Sequence, residues 1–451
     1  MGVRKQTMAR RAGPAAVIVA MLLLFAGCTV RRAGDCLSSP AAGKATAAAV
    51  PAQGVTRRTV TLSMLAVDLN ILAEQGLAPN IGNPAKVAQA TVDDINARGG
   101  INGRKVVLKV HLLDATSALI NPSGGQADCI SATEQDKPLA VLIAAALPSA
   151  LVRCVSVTHP DVAMTMNQWD DSLYSASAGR LFSCCSNTSI GVNRVFSAWP
   201  GLLEQAGGLH RGDKVGIISQ QPGGIANDVR GALQTALVPS LKRSGFDVAA
   251  QAELPCPESS QTCTQQAAAV QRMKDSGVKV VFLTAQDLAG AATVAAAKNI
   301  DYHPTWATYG DNVTDTVAHF YAASKQAYDG AYGISTAFSP PTAAAAACNR
   351  IAARAGIRFP LGSDGYGFTA VTCLQIQLLA QAIGSIPGTI TQDNLISSLE
   401  ATRHIPTAHG PMGSFGPGKH DAGNAVFMAR YRAADEKFIP IGGRPVAQMV
   451  P

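Results

Sequence analysis

Beyond its first 27 residues the sequence offers no apolar run read as a membrane span, no dense basic run, no two CxxC pairs and no nucleophile set beside a base. These absences argue in turn against a membrane-spanning chain, a nucleic-acid partner, a zinc site and a hydrolase. The partial matches fail on their details. Gly207–Lys214 approaches a phosphate loop but carries Asp213 where lysine is needed. Gly365–Ala370 fits GxGxxA without a convincing strand before it, and Gly413-Ser414-Phe415-Gly416 is not a nucleophile elbow. His404, His409 and His420 lie in a Gly/Pro-rich stretch without regular ligand spacing. No cofactor, metal or catalysis is expected.

What is present is a chain of 451 residues, 47% apolar, with mean hydropathy +0.14, enough for two globular domains. Its net charge of +7 overstates the basicity of the folded part, because removing the four basic residues before Cys28 leaves +3. Those four, Arg4, Lys5, Arg10 and Arg11, precede an apolar stretch from Ala15 to Ala26 and then Phe25-Ala26-Gly27-Cys28. The pattern is that of a signal peptide over 1–27, and its end resembles the lipobox of bacterial lipoproteins, which implies lipidation at Cys28. An ordinary secretory signal with an incidental cysteine is the alternative. Residues 28–56 are rich in Ala, Pro, Gly and Ser and read as a solvated tether.

Ten cysteines suit an exported protein. With Cys28 and Cys36 set aside, the even remainder favours disulfides: Cys256 with Cys263, Cys129 with Cys154, and Cys348 with Cys373. Cys184 and Cys185 are adjacent and harder to place, a vicinal bridge being constrained.

Helix and strand signals alternate from Thr59 onward. Thr59–Val67 reads as a strand. Ala88, Val92 and Ile95 share one helical face, predicting a helix over Pro84–Arg98 that Gly99-Gly100 ends. Arg104–Leu113 reads as a strand with Asp114 at its carboxyl end. A helix over Gln126–Asp136 and strands over Leu139–Ala146 and Val162–Met166 complete a doubly wound plan. The rhythm then restarts with helices at Ala198–Ala206, Ile225–Ser244, Thr264–Ser276 and Leu288–Asn299. Strands are expected at Lys214–Ser219, Phe246–Ala252, Val278–Thr284 and Thr305–Thr308. Two such passes predict two similar α/β lobes.

The run DDINARGGINGRKVVL (residues 93–108), with Asp114 beyond it, resembles the signature of the Leu/Ile/Val (branched-chain amino acid) type of bacterial periplasmic binding proteins, the solute receptors of ABC importers. Looser likeness continues through Gly212–Ile217, Ser276–Phe282, Tyr366 with Ala370, and His409–Gly413. The resemblance implies two doubly wound parallel-sheet lobes joined by a three-crossing hinge: 57–196 plus 336–411 as lobe 1, and 197–335 plus 412–451 as lobe 2. Crossings are expected near Phe196, Gly333–Phe338 and Met412, which leaves every cysteine pair inside one lobe, as a moving clamp requires.

It also implies ligand contacts at Ala146 and Ser149 and at Thr165–Asn167 in the first lobe. Gln221, Gln286, Tyr309 and Asp311 would face the ligand from the second, with Asp68 and Asn70 after the first strand. Each has a plainer reading: Ser149 as a helix cap, Asp311 in an Asx turn with Val313, Tyr309 as core. The bulkier Asp68–Gly76 loop and the apolar Ala144–Leu147 stretch depart from the family's donor-rich loops. They widen the expected ligand from an amino acid to an amide, a short acid or an aromatic compound. The implied protein is a monomer held at the outer face of the cell membrane by lipid alone, serving an ABC permease. A ligand-sensing surface receptor without transport is the alternative.

Overall fold

Strand β1 (Thr59–Asp68) divides its side chains by the period of two that a pleated backbone dictates. Val60, Leu62, Met64 and Ala66 enter one core and Leu65 and Val67 another. Strand β3 (Ala140–Ala144) repeats the division, so the sheet that holds them is buried on both faces. The structure is a computed structural model that describes residues 50–74, 78, 80–115, 125–144, 148–186, 189–221, 229–256, 263–285, 287–313, 318–335, 341–443 and 448–449, all within one compact unit spanning 49–451.

The first sheet joins β1 and β3 to β2 (Lys105–Asp114), β4 (Val162–Thr165) and β5 (Leu181–Ser183) in the order β2-β1-β3-β4-β5, all parallel. Its connections include α1 (Asn70–Glu74), α2 (Pro84–Ala97), α3 (Gln126–Ile130), α4 (Ser149–Arg153) and α5 (Asp171–Ala176). Asn83 caps α2 by accepting from Lys86 N, and Pro84 sits where a missing N–H costs nothing.

Helix α6 (Val192–Gln205) opens the second lobe. There β6 (Val215–Gln220), β7 (Val248–Leu254), β8 (Val280–Leu283), β9 (Thr305–Tyr309) and β10 (Tyr332–Ser335) form the order β7-β6-β8-β9-β10, the same winding as the first sheet. Its helices include α7 (Arg230–Ala232), continued through a wide turn to Arg243, α8 (Gln266–Asp275), α9 (Asp287–Asn299) and α10 (Lys325–Tyr328). Helices α11 (Ala343–Arg354), α12 (Asp364–Gly384) and α13 (Gln392–Glu400) return to the first lobe's core. By length and composition α12 could cross a membrane, but it packs on α2, α11 and α13 with two-thirds of its apolar window buried. Its apolarity belongs to the core.

Three features differ from the sequence reading. Strands β11 (Ala425–Arg432), β12 (Lys437–Pro440) and β13 (Gln448–Met449) add antiparallel pairs beside β10, so the second sheet is mixed rather than parallel throughout. The first crossing comes before Phe196, because Ile190, Val192, Val195 and Phe196 already lie in the second lobe's core. The third comes after Met412: Phe415 and Ala422 belong to the first core, and Asp421 pairs beside β5 at Ser183. The middle crossing expected near Gly333–Phe338 lies partly outside the described residues.

Four disulfides join Cys129 to Cys154, Cys184 to Cys185, Cys256 to Cys263 and Cys348 to Cys373. Each closes within one lobe.

The expected tether also ends early. Ala52 N donates to Ile390 O at 2.9 Å and Thr61 N to Gly54 O at 2.8 Å. Gly54 takes φ +72 against the backbone of Lys137–Leu139, where a Cβ would not fit. Gln53 Nε2 and Gln392 Nε2 both donate to Asp161 Oδ1, at 2.8 and 3.0 Å. Burial pushes the Asp161 carboxyl up to about 6, and those two bonds offset only part of the shift. A raised carboxyl makes the fold bind more protons than the unfolded chain between about pH 4 and 6, so this group's stability contribution falls as pH rises through that window. Asp161→Asn keeps the acceptor and removes the charge. Urea unfolding should show the variant more stable than wild type by about 1 kcal/mol at pH 7.5 and nearly equal at pH 4.5; an equal difference at both would contradict the assignment.

Candidate functional site

In a 2-1-3-4-5 sheet the crevice for a ligand lies at the carboxyl ends of the first and third strands, whose connections leave on opposite faces. Here those positions are the ends of β1 and β3 in the first lobe and of β6 and β8 in the second. The elements that follow β4 and β6 approach one another: Asp171 N donates to Asn193 Oδ1 at 3.0 Å, Asn193 Nδ2 to Thr235 Oγ1 at 2.9 Å, and a Cβ on Gly231 would lie 2.9 Å from Asp170 Oδ2. The strand ends of the two lobes therefore face a common space. Between α5, α6 and α7 a cavity of about 550 Å³ remains, lined by Asp170, Asp171 and Ser175 from one lobe and by Arg194, Ser197 and Thr235 from the other. Its size suits a small organic ligand.

Besides Asp68 and Asp114, which end β1 and β2, several described strand ends carry neutral hydrogen-bonding groups. Thr165, Ser183, Ser186, Gln220, Thr284, Thr308 and Ser335 are all buried. No lysine or arginine ends any described strand of these two crevices.

Beside the cavity the first and third crossings run together. Ser183 N donates to His420 O at 2.8 Å, Ala422 N to Ser183 O at 2.8 Å, and Gly423 N to Ser189 O at 2.7 Å. Gly423 is required by this approach, since a Cβ would overlap the Ile190 side chain. The Asp421 carboxylate, 4% exposed, accepts from Gly191 N at 2.6 Å and pairs with Arg194, whose guanidinium also donates to Gly423 O at 2.9 Å. Lys419 Nζ donates to Ser414 O at 2.6 Å and to Asp421 O. Burial lowers the Lys419 ammonium to about 8 even though Asp421 favours its charge. Burial, then the nearby Asp170 and Asp421 charges, raise Asp171, and burial holds the Tyr174 phenol well above its usual range.

The residues expected from sequence are placed unequally. Asp68 ends β1 and accepts from Asn70 N at 3.0 Å, a local turn. Ser149 is the first residue of α4 and half-buried; the cap position belongs to Pro148 and no side chain caps the helix, so the helix-cap reading of Ser149 fails. Thr165 and Asn167 lie together at the end of β4, Thr165 Oγ1 accepting from Asn167 N at 3.3 Å. Gln221 Oε1 accepts from Cys256 N at 3.3 Å, which turns its side chain toward the β7 end. The Tyr309 ring is core at 1% exposure, edge-on to Phe196 with centroids 5.0 Å apart, so packing occupies the ring expected at the ligand. Ala146, Gln286, the side chain of Asp311 and Cys28 lie outside the described residues. The sequence reading missed Asp421, Arg194 and the α5 acids. The one signal was the clustering of charge in Arg194 and Lys419–Asp421 within otherwise neutral surroundings.

Two lobes wound alike, three crossings between them and a polar space at their facing strand ends define a hinged two-lobe binding protein. The chain belongs to the periplasmic binding protein family, whose match covers residues 176–436, more than half of the sequence. Among solved structures it is similar to a fatty acid ABC transporter substrate-binding protein from Thermomonospora curvata, at 15% identity over 89% of this chain and 94% of that one, TM-score 0.61. The branched-chain amino acid substrate-binding protein LivJ of Streptococcus pneumoniae, in complex with isoleucine, aligns at 16% identity over 87% of this chain and 100% of that one, TM-score 0.57. A branched-chain amino acid ABC transporter protein from Thermus thermophilus with bound valine gives 13% identity over 87% and 98%, TM-score 0.60. These likenesses establish the type I two-lobe fold. A sequence comparison with curated proteins finds no significant match.

Asp421→Ala leaves Arg194 and the Gly191 N–H without their buried acceptor. It should cost about 3 kcal/mol in denaturant unfolding, whereas a loss under about 0.5 kcal/mol would mean the carboxylate does not hold the crossings together.

Proposed function

We propose that this protein is a solute receptor outside the cytoplasmic membrane, anchored through lipid at Cys28, which shuts its lobes on a small amphipathic molecule and hands it to an ABC importer. The observation that carries the reading is the cavity of about 550 Å³ lined by residues of both lobes, in a chain whose disulfides among the described residues each close within one lobe. Closure works because a solute touching both lobes binds the shut state more tightly than the open one. Catalysis has no part in this reading.

The hydroxyls and amide of the cavity lining, Ser175, Asn193, Ser197 and Thr235, can hold a polar head group, and Asp170 and Asp171 can hold an ammonium. That fits an amino acid, and the solved relatives are named for a fatty acid and for branched-chain amino acids. A thermal-shift panel of L-isoleucine, L-valine, L-leucine, octanoate and benzoate tests it. A true ligand at about a hundred times its dissociation constant adds about 2.7 kcal/mol and raises the midpoint; no shift with any member would overturn the proposed ligand class. Membrane fractionation of Cys28→Ala tests the anchor, with release into the soluble fraction expected and unchanged membrane retention contradicting it.

A further inference from the structure

The buried vicinal disulfide Cys184–Cys185 stands where three segments meet. Both cysteines are 0% exposed, and they follow β5 at the point where the chain leaves the first lobe. Cys185 holds φ +74, a left-handed backbone that a side chain with a Cβ adopts only at a cost. Closing a ring between neighbouring residues restricts the backbone between them, so the bridge can retain this conformation where two free thiols could relax.

That conformation aims the flanking groups. Toward the ligand side, Cys184 N donates to Thr165 O at 2.9 Å, Ser183 Oγ to Asn167 O, and Ser186 Oγ to Met166 O. All three carbonyls of the 165–167 turn are thus fixed by residues 183–186. Toward the hinge side, Ala408 N donates to Cys185 O at 2.9 Å, and Ser183 exchanges two backbone bonds with His420 and Ala422. One four-residue segment therefore ties the turn at the end of β4 to the departure of the first crossing and the arrival of the third.

We infer that Cys184 and Cys185 are positioning residues: their bridge locks the left-handed backbone that couples the ligand-facing turn 165–167 to the lobe crossings, so that the turn is set before a solute arrives. The ligand half of this claim rests on the solute-receptor reading above. Relaxation of residue 185 to negative φ would reorient the carbonyl that Ala408 uses and draw Ser186 away from Met166. Turn and hinge would then move independently. Preorganising a binding loop raises affinity by lowering the ordering cost of binding.

Two variants separate the bridge from the backbone it holds. Cys184→Ala with Cys185→Ala removes the bridge and leaves a Cβ at the left-handed position. Cys184→Ala with Cys185→Gly also removes it but tolerates positive φ. Hydrogen exchange on the full chain, with its other disulfides formed, should be about tenfold faster in peptides spanning 163–170 and 404–412 for the double alanine variant. Peptides in β7 should be unchanged, and the Ala/Gly variant should return most of the protection.

Wild-type exchange in the double alanine variant would overturn the inference. So would faster exchange spread equally into β7 without rescue by glycine, which is what a merely structural bridge would give. With L-isoleucine and octanoate as probes, affinity should fall about tenfold in Ala/Ala and recover in Ala/Gly; wild-type affinity in Ala/Ala would overturn the ligand half. If wild type binds neither probe, the receptor reading fails for these ligands, and hydrogen exchange alone decides whether the bridge positions the turn.

Discussion

A single buried carboxylate, that of Asp421, sits where the chain leaves one lobe and where it finally returns to the other. It accepts the Gly191 N–H at the end of the first crossing, pairs with Arg194 in the first turn of α6, and lies two residues from Gly423 on the third crossing. Burying that charge is costly, and only its donors offset the cost. The crossings are thereby held side by side. The glycine at 423 and the short backbone bonds of Ser183 and Ser189 follow from the same close approach.

The rest of the architecture braces the two lobes separately. Each lobe buries both faces of its sheet, and α11, α12 and α13 return to complete the first lobe after the second has been built. Among the described residues each disulfide lies within one lobe and none bridges the two. The vicinal bridge at Cys184–Cys185 lies next to the hinge yet stays on one side of it. In the proposed receptor, two lobes on a shared junction would convert solute binding into closure, because the solute's contacts with both lobes favour one arrangement.

Much of this was legible in the chain. The alternation of Thr59–Val67 and the apolar face Ala88, Val92, Ile95 located β1 and α2 to within a residue or two, since period and glycine stops act locally. Parity of the cysteines foretold three bridges. What local pattern could not supply was which lobe an apolar segment would join. Ile190–Phe196 reads the same whether it ends one core or opens the next, and the structure gives it to the second. Strand β5 has three residues, too few for a periodic signal. Strands β11 and β12 carry a readable alternation either side of Asp435-Glu436, but their antiparallel pairing depends on the path of the third crossing. At the site, Thr165 and Asn167 do lie together at a strand end, while Tyr309 serves the core because Phe196, a residue of the neighbouring helix, reaches its ring.

The central claim is that two internally braced lobes turn about this junction to enclose a solute. Small-angle X-ray scattering on the purified chain, with and without the compound that gives the largest thermal shift, measures that motion directly. The account predicts a smaller radius of gyration in the bound form and a return to the free value when the compound is dialysed away. Identical scattering curves at saturating compound would contradict it.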